Sequence, residues 1–282
     1  MMDNAKSQPM STGGSHKFLG AELFATVSEP GKLKVSLQIF YSAMQLTVPE
    51  IETVNISENE GTLNGKHIEL KKEYEFIDVK YAPVGTGMET VPPSVKAVLY
   101  TGTFMIDANR KSCDVNWIYT NAIGLLNNID FGIRDVISLV VHIGNVQTVT
   151  NNIVPTLYRL PVLKVNSNTS TNYFLDVREN GETDKVDVVL STPLIAQTPT
   201  QKNQHQQIAA SDTNSIKKAT YRKGFSMEMP MQKSFVYNKE TREVNIDHPS
   251  FGNYLIAISI TDYRNQIALS QHQAIFIIES VL

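Results

Sequence analysis

The amino-acid sequence predicts an all-β protein made of two β-sandwich domains with a few short helices. Apolar and polar residues alternate in several segments of the 282-residue chain, and this period of two is typical of half-buried strands. Turn pairs such as Pro30-Gly31, Asn64-Gly65 and Asn180-Gly181 lie between these segments,. Apolar residues at helical spacing are scarce. Many short strands joined by turns favour packed sheets.

The first half of the chain predicts an arm and one sandwich domain. Residues 1–16 are polar without periodicity and predict a flexible N-terminal arm,. The first β-sandwich domain is predicted over residues 17–150, with a central strand at 94–106, where both faces are apolar,. Residues 121–129 are compatible with a short helix. The inward-facing residues predicted for three alternating strands are Leu33, Val35, Leu37 and Ile39; Cys113, Val115, Trp117 and Tyr119; and Ile137, Leu139, Val141 and Ile143.

The second half predicts a linker and another sandwich domain. Residues 151–172 contain two prolines and a polar tract, which indicates a linker,. The second domain is predicted over 173–282, with a central strand at 273–282. Residues 197–239 predict a basic loop with a mobile flank, and 208–223 within it are compatible with a helix. A strand near the end of the chain aligns Tyr254, Ile256, Ile258 and Ile260.

Composition and cysteine content favour a cytosolic globular protein. Hydrophobic residues make up 41% of the chain and charged residues 19%, so the chain can bury a core without disulfides. The only cysteine, Cys113, has no partner for an internal disulfide, which favours a reducing compartment. The N-terminus lacks the apolar core of a signal peptide, and no run reaches the roughly 18 apolar residues of a membrane span.

Motifs for catalysis, cofactors and metals are not recognisable in the sequence. The glycine-containing segments at 11–14 and 85–87 lack the lysine and the strand–helix context of a phosphate-binding loop,. The six histidines are far apart, and none has the spacing of metal ligands,. Cys113 alternates with apolar residues, so a buried structural role is favoured over a nucleophilic one. We therefore expect no enzymatic activity, no cofactor and no metal.

Positive charge is concentrated in one segment. The whole chain has a net charge of −3, whereas residues 197–239 contain seven cations and two anions. Such a cluster can be a merely solvated face, or it can bind an anion. Acidic lipid headgroups and single-stranded nucleic acid are the two candidates; the short cluster favours a local membrane or partner contact over a long nucleic-acid track. The candidate membrane- or anion-binding residues are Lys217, Lys218, Tyr221, Arg222, Lys223 and Phe225.

One part of the chain resembles a known family. The segment VLYTGTFMIDANRKSCDVNWI (98–118) is similar to a segment of the matrix proteins of non-segmented negative-strand RNA viruses. Residues 31–44 and 140–145 are also similar to short segments of that family. The resemblance covers about a sixth of the chain. Its matching positions are Thr101-Gly102, Ala108-Asn109, Cys113 and Val115-Asn116.

The resemblance implies a structural role. It implies homodimers that assemble into a lattice beneath the membrane and link lipid, envelope glycoprotein tails and the viral nucleocapsid. The protein would then be found in the virion, in the host cytoplasm and on the inner face of a host membrane, and its basic loop would face acidic headgroups. Two alternatives stay open: a plant-virus cell-to-cell movement protein that binds single-stranded nucleic acid, and a capsid protein of sandwich architecture.

Overall fold

A computed structural model describes most of the chain as β-strands. It describes residues 18–42, 48–57, 66–78, 95–148 except 108, 122 and 133, 154–157, 164–178, 185–197 and 216–282. These residues contain twenty-one strands and no helix. The all-β class predicted from the sequence is confirmed. The predicted arm at 1–16 and the Asn64-Gly65 and Asn180-Gly181 turns lie outside the described residues.

Eight antiparallel strands form a closed circuit. Each strand is hydrogen-bonded to the next, and the last, β21, pairs with both β8 and β1. Because β21 pairs with a strand on each side, the circuit is closed at β21 and has no free strand edge at that point. In spatial order its strands are β1 (Phe18–Glu29), β2 (Lys32–Ser42), β5 (Val95–Met105), β4 (Lys66–Asp78), β3 (Ile51–Ser57), β6 (Cys113–Tyr119), β8 (Asp135–Ile143) and β21 (Ile267–Val281).

Five further strands extend the circuit into a 13-stranded sheet. On one side β20 pairs with β21 along almost its whole length, and β13 follows it. On the other side β14 pairs with β8, and β15 follows it; β10 runs parallel to the end of β21. The bounds are β10 (Lys164–Asn166), β13 (Lys185–Ser191), β14 (Leu194–Gln197), β15 (Lys217–Lys218) and β20 (Gly252–Arg264).

The remaining strands form smaller pieces. A three-stranded sheet has the order β11-β19-β18, and two strand pairs, β9 with β12 and β7 with β16, complete the pairing. The short β17 leads into β18. Their bounds are β7 (Ile129–Asp130), β9 (Thr156–Leu157), β11 (Ser170–Phe174), β12 (Val177–Arg178), β16 (Thr220–Tyr221), β17 (Pro230–Lys233), β18 (Phe235–Asn238) and β19 (Glu243–Asp247).

The apolar side chains divide into two cores. The first, here the inner core, contains the alternating residues that the sequence placed on the inward faces of β2, β6 and β8. The second, here the outer core, packs the three-stranded sheet against the hairpin of β20 and β21. The outer core includes Tyr173, Phe235, Val244, Ile246, Ile256, Ile258 and Phe276.

The hairpin of β20 and β21 separates the two cores. Leu255 and Ile275 belong to the inner core, whereas Tyr254, Ile256 and Phe276 belong to the outer core. Because successive strand residues point to opposite faces, this hairpin must be apolar on both. The central strand predicted at 273–282 is confirmed within β21.

The two predicted sandwich segments share one sheet. In the described residues β1 pairs with β21, and β8 pairs with β14. The inner core likewise contains residues from both segments, such as Leu37 and Ile275. Independent folding of 17–150 and 173–282, with a linker at 151–172, stays a prediction.

The predicted short helices are wrong in the described residues. The segment 121–129 has no helix; its Asn127 and Asn128 instead form hydrogen bonds with β20. Residues 217–218 form β15 and residues 220–221 form β16, and these strands pair with β14 and β7. In both segments hydrogen bonds to distant strands replace the local bonds of a helix. The basic loop predicted at 197–239 is likewise strands and turns from residue 216 onwards, and 198–215 lie outside the described part.

A buried hydrogen-bonded pair of side chains joins three strands where the circuit closes. His272 Nε2 on β21 lies 2.9 Å from Glu22 Oε1 on β1, and both side chains are completely buried. The backbone N–H of Leu157 in β9 donates to both oxygens of Glu22, at 3.1 and 3.2 Å. The carboxylate therefore connects β1, β21 and β9 at one buried point.

The closure also requires a very close approach of two backbones. Gly20 in β1 pairs with Phe276 in β21. A Cβ atom at Gly20 would lie 2.5 Å from the carbonyl oxygen of Ile275 and 3.1 Å from the Cα of Phe276. Only glycine leaves room for this contact.

Candidate anion-binding surface

The predicted basic residues lie on an edge of the large sheet. Lys217 and Lys218 form β15, which pairs with Ile195 and Leu194 of β14 and is the last strand on that side. The next residue, Ala219, is buried and donates its N–H to the carbonyl of Pro193. The segment is therefore fixed by main-chain hydrogen bonds at the point where the lysines project.

The second pair of cations follows β16. The backbone N–H of Arg222 donates to the carbonyl of Asn128, and its Nε donates to the carbonyl of Ile129, both at 3.0 Å. These bonds hold the stem of the arginine against the loop before β7. Lys217, Lys218, Arg222 and Lys223 are all exposed. The structure therefore places the four predicted cations on the surface of residues 217–225, which we call the basic segment.

The two predicted aromatic residues have a different environment. Tyr221 is half-buried and packs against the inner core. Burial, and next the nearby charge of Glu228, raise the pKa of Tyr221 well above its usual range. Phe225 is half-buried against the outer core, with its ring centroid 6.1 Å from that of Tyr254. These side chains anchor the basic segment to both cores, and their contact with lipid stays a prediction.

Two carboxylates lie near the four cations. Asp130 pairs with Thr220 across the β7–β16 ladder. Glu228 accepts a hydrogen bond from Ser226 Oγ at 3.1 Å. The surface is therefore positive overall but not uniformly so, which suits a local anion contact better than a continuous nucleic-acid track.

A pair of interlocked loops beside this segment was not identified from the sequence. The Asn127 side chain donates to the carbonyl of Phe251 at 3.4 Å and accepts from the N–H of Asn253 at 3.0 Å. The Asn253 side chain donates to the carbonyl of Leu125 at 3.4 Å, and the Asn127 N–H donates to the carbonyl of Asn253 at 2.7 Å. We call Asn127 and Asn253 the asparagine clasp.

Glycine allows the clasp to close. Gly252 has a φ of +145°, and a Cβ atom there would lie 2.3 to 2.4 Å from the amide of Asn127. The backbone conformation favours glycine, and a Cβ atom would displace the Asn127 side chain from its place in the clasp,. The Asn127-Asn128 and Gly252-Asn253 pairs were a signal for two tight turns, but their contact with each other depends on tertiary structure.

The cysteine considered as a nucleophile in the sequence lies among apolar side chains. Cys113 is buried on β6 in the inner core. In the part of the chain that the structure describes, no group of three or more His, Cys, Asp or Glu side chains is arranged to hold a metal ion. The described residues also include no helix with the length and hydropathy needed to cross a membrane.

A polar cluster lies at one end of the inner core. Trp117 Nε1 donates to Glu52 Oε2 at 3.1 Å, and Tyr100 donates its hydroxyl to the carbonyl of Pro49 at 2.9 Å. Burial raises the pKa of Glu52, and the hydrogen bond from Trp117 opposes this increase. Burial, and next the charge of Glu52, raise the pKa of Tyr41 and of Tyr100 above their usual ranges.

This cluster predicts a pH-dependent stability. Because the fold raises the pKa of Glu52, it favours the protonated carboxyl group. That contribution is complete below the unfolded pKa of about 4.3 and is lost as the pH rises through the folded pKa. We expect Glu52→Gln to gain free energy of unfolding relative to the wild type as the pH rises above about 4.3, as measured by urea titration. The expectation would be contradicted if the free energies of unfolding of the two proteins changed with pH in parallel. It would also be contradicted if the exposed control Glu29→Gln gained as much stability.

Comparisons with protein-family models, with curated proteins and with solved structures found no match for this chain. The resemblance of residues 98–118 to viral matrix proteins therefore stays a prediction.

Proposed function

We propose that this protein is a viral structural matrix protein without enzymatic activity. It assembles beneath an acidic membrane and links lipid, envelope glycoprotein tails and nucleocapsid in the virion and at the inner face of the host membrane. One observation supports this function above the others: Lys217, Lys218, Arg222 and Lys223 are exposed together on a segment fastened to both cores.

The order of this segment favours membrane binding. A Lys or Arg near an acidic membrane contributes on the order of 1 kcal/mol, so several cations are needed for useful affinity. Because β15 and β16 are already hydrogen-bonded to β14 and β7, the backbone loses little conformational entropy on binding. Asp130 and Glu228 weaken the attraction without reversing it.

Self-assembly is the second part of the proposed function. Closed homo-oligomers most often contain isologous dimers, and the resemblance implies that such dimers form a lattice beneath the membrane. A lattice brings many basic segments to one surface at once. Weak binding of each basic segment to acidic lipid is then sufficient to hold the lattice on the membrane, because many simultaneous contacts raise the overall affinity.

Charge reversal tests the membrane contact. We expect replacement of all four cations by glutamate to lower binding to vesicles that contain phosphatidylserine by at least about tenfold, measured by flotation at low and moderate salt. The matched control reverses four exposed lysines outside residues 197–239, namely Lys71, Lys111, Lys164 and Lys185. It changes the net charge equally and should keep most of the binding.

The same samples separate the alternatives. Equal losses in both variants would show that overall charge, not this surface, drives binding, and would contradict the proposal. Failure of the wild-type protein to float, with cooperative retention of single-stranded RNA in a gel shift, would favour a movement protein. Closed shells formed without lipid, seen by electron microscopy, would favour a capsid protein.

A further inference from the structure

We infer that Leu125 and Phe251 are a membrane-inserting tip that anchors this protein in the outer part of an acidic bilayer. The inference rests on the proposed function and deepens it, because it changes the mode of binding. Charge attracts the protein to the headgroups, and two apolar side chains then enter the interface between headgroups and acyl chains. These two residues are named the apolar tip below.

The exposure of the apolar tip is unusual for side chains of this kind. Leu125 is 86% exposed and Phe251 is 65% exposed. A single exposed apolar residue needs no explanation. Here two large ones stand on adjacent loops whose carbonyl groups are each held by the side chain of the opposite loop.

The asparagine clasp fixes the presentation of the tip. Asn127 and Asn253 follow Leu125 and Phe251 by two residues each, and their reciprocal hydrogen bonds tie the two loops together. Gly252 lets the backbones approach closely enough. A rigid display of exposed apolar side chains lowers the ordering cost of binding.

The basic segment is attached to the same loop. The carbonyl groups of Asn128 and Ile129, which follow the clasp, accept hydrogen bonds from Arg222. Lys223 comes next in the chain and is exposed. Arg222 is therefore bound to the loop that presents Leu125, and a cation joined to an exposed apolar side chain suits the interface of an acidic membrane,.

Lipid fits this surface better than a protein partner. A stable protein interface buries about 800 Å² on each side, and two apolar side chains on two loops do not provide such an area. Shallow insertion needs only the apolar side chains themselves, since each contributes through the area that it removes from water. The attraction between the cations and acidic headgroups adds to the binding free energy from the buried apolar area.

Tryptophan fluorescence tests the insertion directly. The natural chain has one tryptophan, Trp117, which is buried in the inner core and gives a constant background. We expect Phe251→Trp and Leu125→Trp to show blue-shifted emission on phosphatidylserine vesicles, with quenching by brominated acyl chains. The matched control is Val236→Trp, at a site 60% exposed on β18, and should show neither effect.

A second variant measures how much the apolar tip contributes to the affinity for vesicles. Leu125→Ser combined with Phe251→Ser should weaken vesicle binding roughly tenfold at moderate salt, with a smaller change at low salt. If the Phe251→Trp and Leu125→Trp proteins bind vesicles but their emission is neither shifted nor quenched, the insertion is overturned and the proposed function still stands. A wild-type protein that does not float at all would overturn both.

Discussion

Replacing Glu22 with alanine is expected to destabilise the protein by about 3 kcal/mol, because it leaves two buried polar groups without this hydrogen-bond partner. The substitution leaves the completely buried His272 without its carboxylate and the N–H of Leu157 without its acceptor. An unpaired buried polar group loses its hydration without compensation. The affected residues lie on β1, β21 and β9, so the loss acts on the closure of the sheet.

Urea unfolding of Glu22→Ala, His272→Ala and the double variant measures this effect. The double variant should lose less stability than the two single variants added together, because each single change already breaks the pair. His248→Ala is the control, since the His248–Asp247 pair is exposed, and it should change the unfolding midpoint little. Strict additivity of the two single variants would show that the pair is not coupled.

Gly20→Ala is the second change with a large expected effect, a loss of about 3 kcal/mol. A methyl group at this position meets the backbone oxygen of Ile275 at 2.5 Å and the Cα of Phe276 at 3.1 Å. Backbone atoms of a paired strand cannot move aside as a flexible side chain can. In the described residues the paired register of β1 with β21 runs from Gly20 to Glu22, so separating the strands at Gly20 weakens this pairing.

The control for this substitution lies in the same protein. Gly124 has no atom within 4 Å of the position where a Cβ would stand, and Gly124→Ala should leave stability nearly unchanged. Hydrogen exchange would locate the effect of Gly20→Ala, with faster exchange expected for the amides of β1 and β21. A Gly20→Ala protein as stable as Gly124→Ala would show that the two strands are not packed this closely.

The strands themselves were predictable, because their signal is local. The alternation of Leu33, Val35, Leu37 and Ile39 predicted one buried face of β2, and all four are buried in the inner core. The two-sided apolar segments correspond to β5 and β21. Closure of the sheet was not predictable, since the pairing of Gly20 with Phe276 depends on residues at opposite ends of the described chain.

The basic surface was predictable only as a composition. The sequence indicated four cations and two aromatic residues in one segment, and the structure places the cations outside and the aromatic residues against the cores. Side-chain direction in this segment depends on its pairing with β14 and β7, which sequence spacing does not reveal. The asparagine clasp was missed for the same reason, and the helix predicted at 121–129 concealed it.

The position of β21 has a consequence for biosynthesis. Glu22 and His272 are 250 residues apart, so β1 leaves the ribosome long before the strand that completes its pairing. At about 5–20 residues per second, the delay is on the order of 10 to 50 seconds. The first strand must spend this time with an unpaired edge, a condition that invites aggregation and chaperone binding. A nascent chain stopped before β21 cannot close the sheet, so truncated products should be held back from any assembly that requires the finished fold.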